Sequence, residues 1–220
     1  RPSFMAFQRF ISNQIKGNAS DIFTEIMLVI CKKMKVNTRI LYIDGTSMEA
    51  NANKFSFVWK KTAVKTKDKT LARIAETIGQ LTKLTGIFYT ESYEDTQAIG
   101  GYIVSIWRWC SKNKVQFTFG KGHHKTALQK AYEELKKLNE KLKECQERIE
   151  TCGDDRNSYS KTDHDATFMH MKYDYYNNTG VFKPGYNVQL AESDEFIMHV
   201  MVSNARSDTK TFIPFMDGYE

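Results

Sequence analysis

Asp44 is the residue whose type and setting best suit metal chemistry. It follows residues 39–43, a short segment rich in β-branched and aromatic residues, and precedes Gly45 and Thr46, which are typical of a turn. We therefore predict a buried strand that delivers the Asp44 carboxylate at its carboxyl end. A carboxylate fixed in this way suits Mg²⁺, and a pair of such ions can activate water at a phosphodiester. An ordinary turn is the alternative, because one aspartate alone does not hold two ions.

A basic segment, residues 54–83, is the second place where residue types suggest a function. It holds eight basic and two acidic residues, an excess as large as the net charge of +6 for the whole chain. Such concentrated positive charge suits phosphate groups, and a solvated helix face is the plainer alternative. The lysines that we assign to phosphate contact are Lys54, Lys60, Lys61, Lys65, Lys67 and Lys69.

The sequence lacks the other common catalytic and metal-binding motifs. Its five histidines and four cysteines have neither zinc-finger spacing nor the H-E-x-x-H pattern. The glycine motifs of P-loop and dinucleotide enzymes and the G-x-S-x-G motif of serine hydrolases are missing as well. The scattered cysteines predict a reduced, cytoplasmic protein, and the most apolar run, residues 26–31, is too short for a bilayer. We therefore expect no membrane role.

Two helices are predicted around an aromatic stretch. Apolar residues recur mostly at helical spacing over residues 71–88, and residues 128–152 repeat them at alternating threes and fours before Gly153. Separated by the aromatic residues 102–119, these helices predict an antiparallel helical hairpin. A self-standing coiled-coil dimer is the alternative.

Three further elements would complete the fold. Residues 186–202 alternate apolar and polar side chains on either side of a turn at 192–195, which predicts a β-hairpin. A helix is predicted after Ser207, although Pro214 lies deeper in it than is favoured. An amphipathic helix is predicted from residue 20, with the apolar stripe Ile22, Ile26, Val29, Ile30 and Met34.

Three stretches of the chain resemble bacterial insertion-sequence transposases of the DDE type. The first, YIDGTSMEANANKFSFVWKK at residues 42–61, is similar to the first catalytic segment of that family. The second is TDHDATFM at residues 162–169, followed by KPGYNVQ at residues 183–189, and the third is SDTKT at residues 207–211. The stretches occur in the family's order, and the helices between them are only loosely similar.

The resemblance implies a ribonuclease H-like catalytic domain in which two Asp and one Glu bind Mg²⁺ or Mn²⁺ for DNA strand cleavage and transfer. The first Asp stands in the motif Asp-Gly-Thr, which here is Asp44. The second Asp, in a motif like Ala-Asp-Ala-Gly-Tyr, and the later Glu do not appear before Glu220. Residues 217–219 are only superficially similar and are not assigned. Asp163 and Asp165 lie in a family-like motif without an assigned role.

We therefore expect an α/β (α+β) protein with a ribonuclease H-like core, interrupted by a long helical-hairpin insertion. Residues 1–53 would hold the N-terminal helices and the first core strand, 54–152 the basic and helical insertion, and 153–220 the continuation of the core. The expected function is DNA transposition in the bacterial cytoplasm, at the nucleoid.

The expected partner is double-stranded DNA, both the transposon ends and the target DNA. A homodimer is also compatible with the sequence. The chain looks like the front portion of the enzyme, inactive alone. The alternatives are a catalytically inactive DNA-binding or dimerising remnant and a nonspecific Mg²⁺ nuclease.

Overall fold

The computed structural model describes residues 1–120, 124–171 and 181–219 as a mixture of helices and antiparallel strands, an α+β protein. The helices are α1 Phe4–Phe10, which continues into a π-helical turn at Ile11–Ile15, α2 Ala19–Met34, α3 Lys60–Thr85, α4 Thr96–Lys112, α5 Ala127–Cys152 and α6 Asp208–Asp217. The strands are β1 Tyr42–Glu49, β2 Phe57–Trp59, β3 Ser158–Ser160, β4 Thr167–His170, β5 Phe182–Ser193 and β6 Phe196–Ser203.

The chain divides into two compact units. Unit 1 consists of residues 1–54 and 165–220, and unit 2 consists of residues 55–164. In the sequence, unit 2 therefore lies between the two segments of unit 1. Each unit has its own sheet and its own helices.

Strand β5 is the centre of the sheet in unit 1. It pairs antiparallel with β1, β4 and β6. A two-residue turn joins β5 to β6, and both of its residues, Asp194 and Glu195, have positive φ angles, 52° and 68°. Two positive φ angles match the twist of a tight hairpin. The hairpin predicted for residues 186–202 is confirmed, and the structure extends it to 182–203.

The turn predicted at Asp44-Gly45-Thr46 is wrong, because β1 runs straight through it. The strand begins at Tyr42 rather than at residue 39, and Asp44 is its third residue. Every residue of β1 faces a partner in β5, with Asp44 opposite Leu190. This ladder of backbone hydrogen bonds outweighs the local turn preference of Gly45. The strand is also not buried, since Asp44 is exposed.

The predicted helix α2 is present, but most of its predicted apolar stripe faces solvent rather than the core. Ile22, Ile26 and Val29 are exposed, whereas Met27 is the buried residue of the helix. Cys31 contacts Met198 of β6, with the two sulfur atoms 3.9 Å apart. The helix has apolar residues on more than one side, so periodicity alone did not select the packed face. The helix predicted after Ser207 is confirmed as α6.

Unit 2 is a bundle of three helices rather than the predicted two-helix hairpin. The stretch expected to separate two helices is itself largely helical, as α4. Lys60 at the start of α3 contacts Gly153 just after α5, and Asn139 of α5 contacts Thr96 at the start of α4. Helix α5 therefore runs antiparallel to both. The fully buried apolar side chains in the described part of this bundle are Ile74, Leu81, Ile99, Ile106, Leu135 and Leu142.

The heptad side chains of α5 are used within this bundle. Leu135, Leu142 and Cys145 are buried in the chain's own core, which leaves no open seam for a coiled-coil partner along them. Strands β2 and β3 pair antiparallel, with Phe57 opposite Ser160. Among the described residues, no helix has the length and apolar character needed to cross a membrane.

Candidate functional site

The Asp44 carboxylate is presented on a rigid strand. Its Oδ1 accepts a hydrogen bond from the backbone N–H of Gly45 at 2.9 Å. Neighbouring residues of a strand point to opposite faces of the sheet, so Asp44 and position 45 face opposite sides. A β-carbon at position 45 would overlap Nε2 of Gln189 and lie 2.7 Å from Oδ1 of Asp208. A side chain at position 45 would therefore displace the ends of the Gln189 and Asp208 side chains, and glycine avoids this.

A polar network occupies the face toward which position 45 points. Asp208 Oδ1 accepts hydrogen bonds from Asn187 Nδ2 at 2.8 Å and from Gln189 Nε2 at 2.7 Å. Gln189 Nε2 also donates to Asn187 Oδ1 at 3.0 Å. Asn187 and Gln189 are each only 4% exposed, so these bonds satisfy amides that are removed from water. The network fixes the first turn of α6 on the sheet.

The network was missed in the sequence, although a signal for it exists. Asn187 and Gln189 were recognised only as the polar half of an alternating strand, which normally faces solvent. The structure buries them at least as deeply as Val188 between them. The signal is Asp208 at the start of a helix, since a carboxylate there can accept from amides on a neighbouring strand.

The described part of the chain does not place a group of three metal-binding side chains around Asp44. Asp208 belongs to the opposite face of the sheet, as the contact with position 45 shows. Asp163 and Asp165 lie in the irregular segment before β4. Among the described residues, no group of three or more His, Cys, Asp or Glu side chains could hold a metal ion. Within residues 1–120, 124–171 and 181–219, the ligand set for Mg²⁺ or Mn²⁺ is therefore incomplete.

The six lysines assigned to phosphate contact fall into two groups. Three of them have partners. Lys54 Nζ lies 3.8 Å from a Glu49 carboxylate oxygen, and Lys67 Nζ lies 2.8 Å from one of Glu94. Lys60 Nζ donates to the Gly153 carbonyl at 2.6 Å. Lys54 also belongs to unit 1, whereas the other five lysines belong to unit 2.

The remaining lysines, Lys61, Lys65 and Lys69, form a row along one side of α3, which we call the lysine row. They are exposed, and none forms an ion pair with another described residue. Residues four apart are neighbours on a helix, so their like charges repel. The first turn of α3 has no acidic residue, and its amide groups add further positive potential. An anionic partner would relieve this repulsion.

A shallow cavity of about 480 Å³ lies along the start of the lysine row. Lys61, Lys65, Val64 and Asn157 are among its lining residues. Asp68 also lines it and carries the one opposing charge there. The arrangement suits a ligand with several negative groups that follow the helix.

The fold defines the class of this protein as α+β, with an antiparallel four-stranded sheet in one unit and a three-helix bundle in the other. Comparison with known proteins finds no matching family model and no significant match among the curated proteins or the solved structures.

Proposed function

We propose that this chain serves DNA transposition, as part of a DDE transposase that cleaves and transfers DNA strands in a metal-dependent reaction. The observation that carries the proposal is the convergence of the transposase-like stretches. Gly45 from the first, Gln189 from the second and Asp208 from the third meet at one point of unit 1. These residues are far apart in the sequence, and their contact supports one folded core built from the three stretches.

The topology of unit 1 supports a ribonuclease H-like core. Such a core would begin with the strand that carries Asp44, and the hairpin of β5 and β6 would supply the next two strands. The observed neighbours β1, β5 and β6, followed along the chain by α6, fit that expectation. Unit 2 would then be an insertion in the core, since its residues lie between β1 and β4 in the sequence.

Asp44 would be one of three metal-binding carboxylates in the complete enzyme. The described residues contain no group of three or more possible ligands, so the set that includes Asp44 would be completed from outside them. The substrate would be double-stranded DNA of the transposon ends and the target, held in part by the lysine row. Such a protein would act in the bacterial cytoplasm, and a homodimer remains compatible with it.

A catalytically inactive DNA-binding remnant is the second candidate function. The observation that favours it is the lysine row, in a chain whose described residues form no metal-binding group of three or more side chains. Reading the open reading frame beyond Glu220 separates the two candidates. An aspartate motif followed by a glutamate supports the transposase, and an early stop codon supports the remnant. A nonspecific Mg²⁺ nuclease would also need metal-binding carboxylates in addition to Asp44, so the same lack weakens that alternative.

A further inference from the structure

Unit 2 has an aromatic cavity that is unrelated to Asp44 and distinct from the lysine row. It has a volume of about 440 Å³ and is lined by residues of α4, of α5 and of positions 117–119, which follow α4. We call it the aromatic cavity. Its lining residues are Val104, Trp107, Phe117, Phe119, Tyr132, Glu133 and Lys136.

The rings of this cavity are fixed on one side and open on the other. Phe117 and Tyr132 pack against the bundle core, with their ring centroids 5.4 Å apart in an edge-to-face arrangement. Trp107 lies 5.5 Å from Phe117 and 6.0 Å from Tyr132 between ring centroids. Yet Trp107 is 48% exposed and Phe119 is 73% exposed. The anchored rings hold Trp107 in place, and the two exposed rings leave flat apolar surface in water, where a planar ligand can stack.

The chain segment that supplies Trp107, Phe117 and Phe119 to the aromatic cavity carries only basic charges. Residues 96–120 contain no acidic residue, and their basic residues are Arg108, Lys112 and Lys114. Lys136 lines the cavity itself and is exposed. A ligand that combines a planar ring with negative charge complements this surface.

The acidic lining residue, Glu133, is already neutralised by its neighbours. Its carboxylate accepts hydrogen bonds from Lys125 Nζ at 2.5 Å and from Gln129 Nε2 at 2.8 Å. Both hydrogen bonds lower the pKa of the Glu133 carboxyl group, and the bond from Lys125 has the larger effect. Glu133 is therefore ionised at neutral pH but paired with a cation, which limits its repulsion of a phosphate.

We propose that the aromatic cavity binds the base of an unpaired nucleotide, which stacks on Trp107 and Phe119 while Lys136 contacts a neighbouring phosphate. Stacking on aromatic side chains tolerates every base, because each base has a π face. A base inside a duplex has both faces covered by its neighbours and does not enter. The proposal requires no metal and no cleavage, so it stands or fails separately from the proposed transposition.

The test compares two twelve-nucleotide single strands, oligo(dT) and an oligonucleotide of abasic sites with the same phosphates, by fluorescence anisotropy with the whole chain. We expect oligo(dT) to bind roughly 10-fold more tightly. Trp107→Ala and Phe119→Ala should each remove most of that difference. Phe119 is largely exposed, so its variant keeps the fold even if Trp107→Ala does not, as circular dichroism will show. Trp59→Phe, at an exposed tryptophan of β2, is the matched control and should leave the difference unchanged.

Lys136→Gln separates phosphate contact from stacking. It should weaken both oligonucleotides equally and flatten the dependence of log affinity on log salt by about 0.7. Equal affinity of the wild-type chain for the two strands would overturn the proposal. The same conclusion would follow if folded Phe119→Ala kept the full preference for oligo(dT).

Discussion

At the scale of single residues, Gly45 is a position where an added side chain would disturb a buried polar network. A β-carbon there would overlap the amide of Gln189 and the carboxylate of Asp208. We expect Gly45→Ala to lower the free energy of unfolding of unit 1 by about 1–3 kcal/mol, the usual cost of overpacking. Urea denaturation measures this change.

The matched control for that variant is Gly79→Ala in α3. Position 79 is exposed and has no atom within 4 Å of an added β-carbon. Alanine there should stabilise the helix by roughly 0.5–1 kcal/mol, because glycine is the poorer helix former. Unchanged stability of Gly45→Ala would show that the network around Asp208 rearranges at little cost.

His199 makes the stability of unit 1 depend on pH. It packs against Phe215, with ring centroids 4.8 Å apart, and burial lowers its pKa. The unfolded chain, with an ordinary histidine pKa of about 6.5, binds the proton more readily than the folded chain. The free energy of unfolding should therefore fall as the pH drops below about 6.5. Urea midpoints at pH 7.5 and pH 5.0 measure the loss, which His199→Phe should reduce. Equal losses in both proteins would contradict this role of His199.

At the scale of elements, the sequence was informative wherever local pattern and packing agree. The hairpin of β5 and β6, helix α5 and helix α6 follow from alternation, heptad spacing and a start signal at Ser207. Helix α4 was missed because its aromatic residues resemble a connecting stretch, and only the bundle core explains its helical state. The end of β1 was misplaced at Asp44, since pairing with a distant strand overrides the local preference of Gly45.

The candidate site, like the fold, could be predicted only in part from the sequence. Asp44 and the lysines could be named from residue type and from the resemblance. The partners of Lys60 and Lys67 could not, because Gly153 and Glu94 approach them only in the folded bundle. The burial of Asn187 and Gln189 depends on where α6 packs.

The lysine row is expected to dominate contact with duplex DNA. Replacing Lys61, Lys65 and Lys69 together by Gln should weaken binding about equally for all sequences. If each contacts a phosphate, the slope of log affinity against log salt should flatten by roughly 2–3. Titration of a duplex at several salt concentrations measures that slope.

A control with the same loss of charge is available on α5. Lys137, Lys141 and Lys143 are exposed on a helix in which lysines and glutamates alternate along the surface. Their replacement by Gln should change the slope much less. If both triple variants lower it equally, binding follows net charge rather than the lysine row.

At the scale of the whole molecule, unit 2 has the properties of a domain that folds by itself. It has its own core, and the pairing of Phe57 with Ser160 brings its two ends together. We expect residues 55–164 alone to be helical and to unfold cooperatively, as circular dichroism during heating would show. Adjacent ends also allow insertion into another domain without distorting it. A noncooperative melt of this segment would show that its stability depends on unit 1.

We propose Asp44 as a metal-binding carboxylate of a DDE transposase. The most direct measurement is Mg²⁺-dependent strand cleavage by the protein translated from the whole open reading frame, compared with its Asp44→Asn variant. Asp194→Asn, an exposed carboxylate of the β5–β6 turn, is the matched control. We expect Asp44→Asn to keep the fold and DNA binding but to lose cleavage, while Asp194→Asn cleaves normally. Substantial cleavage by Asp44→Asn would contradict the assignment.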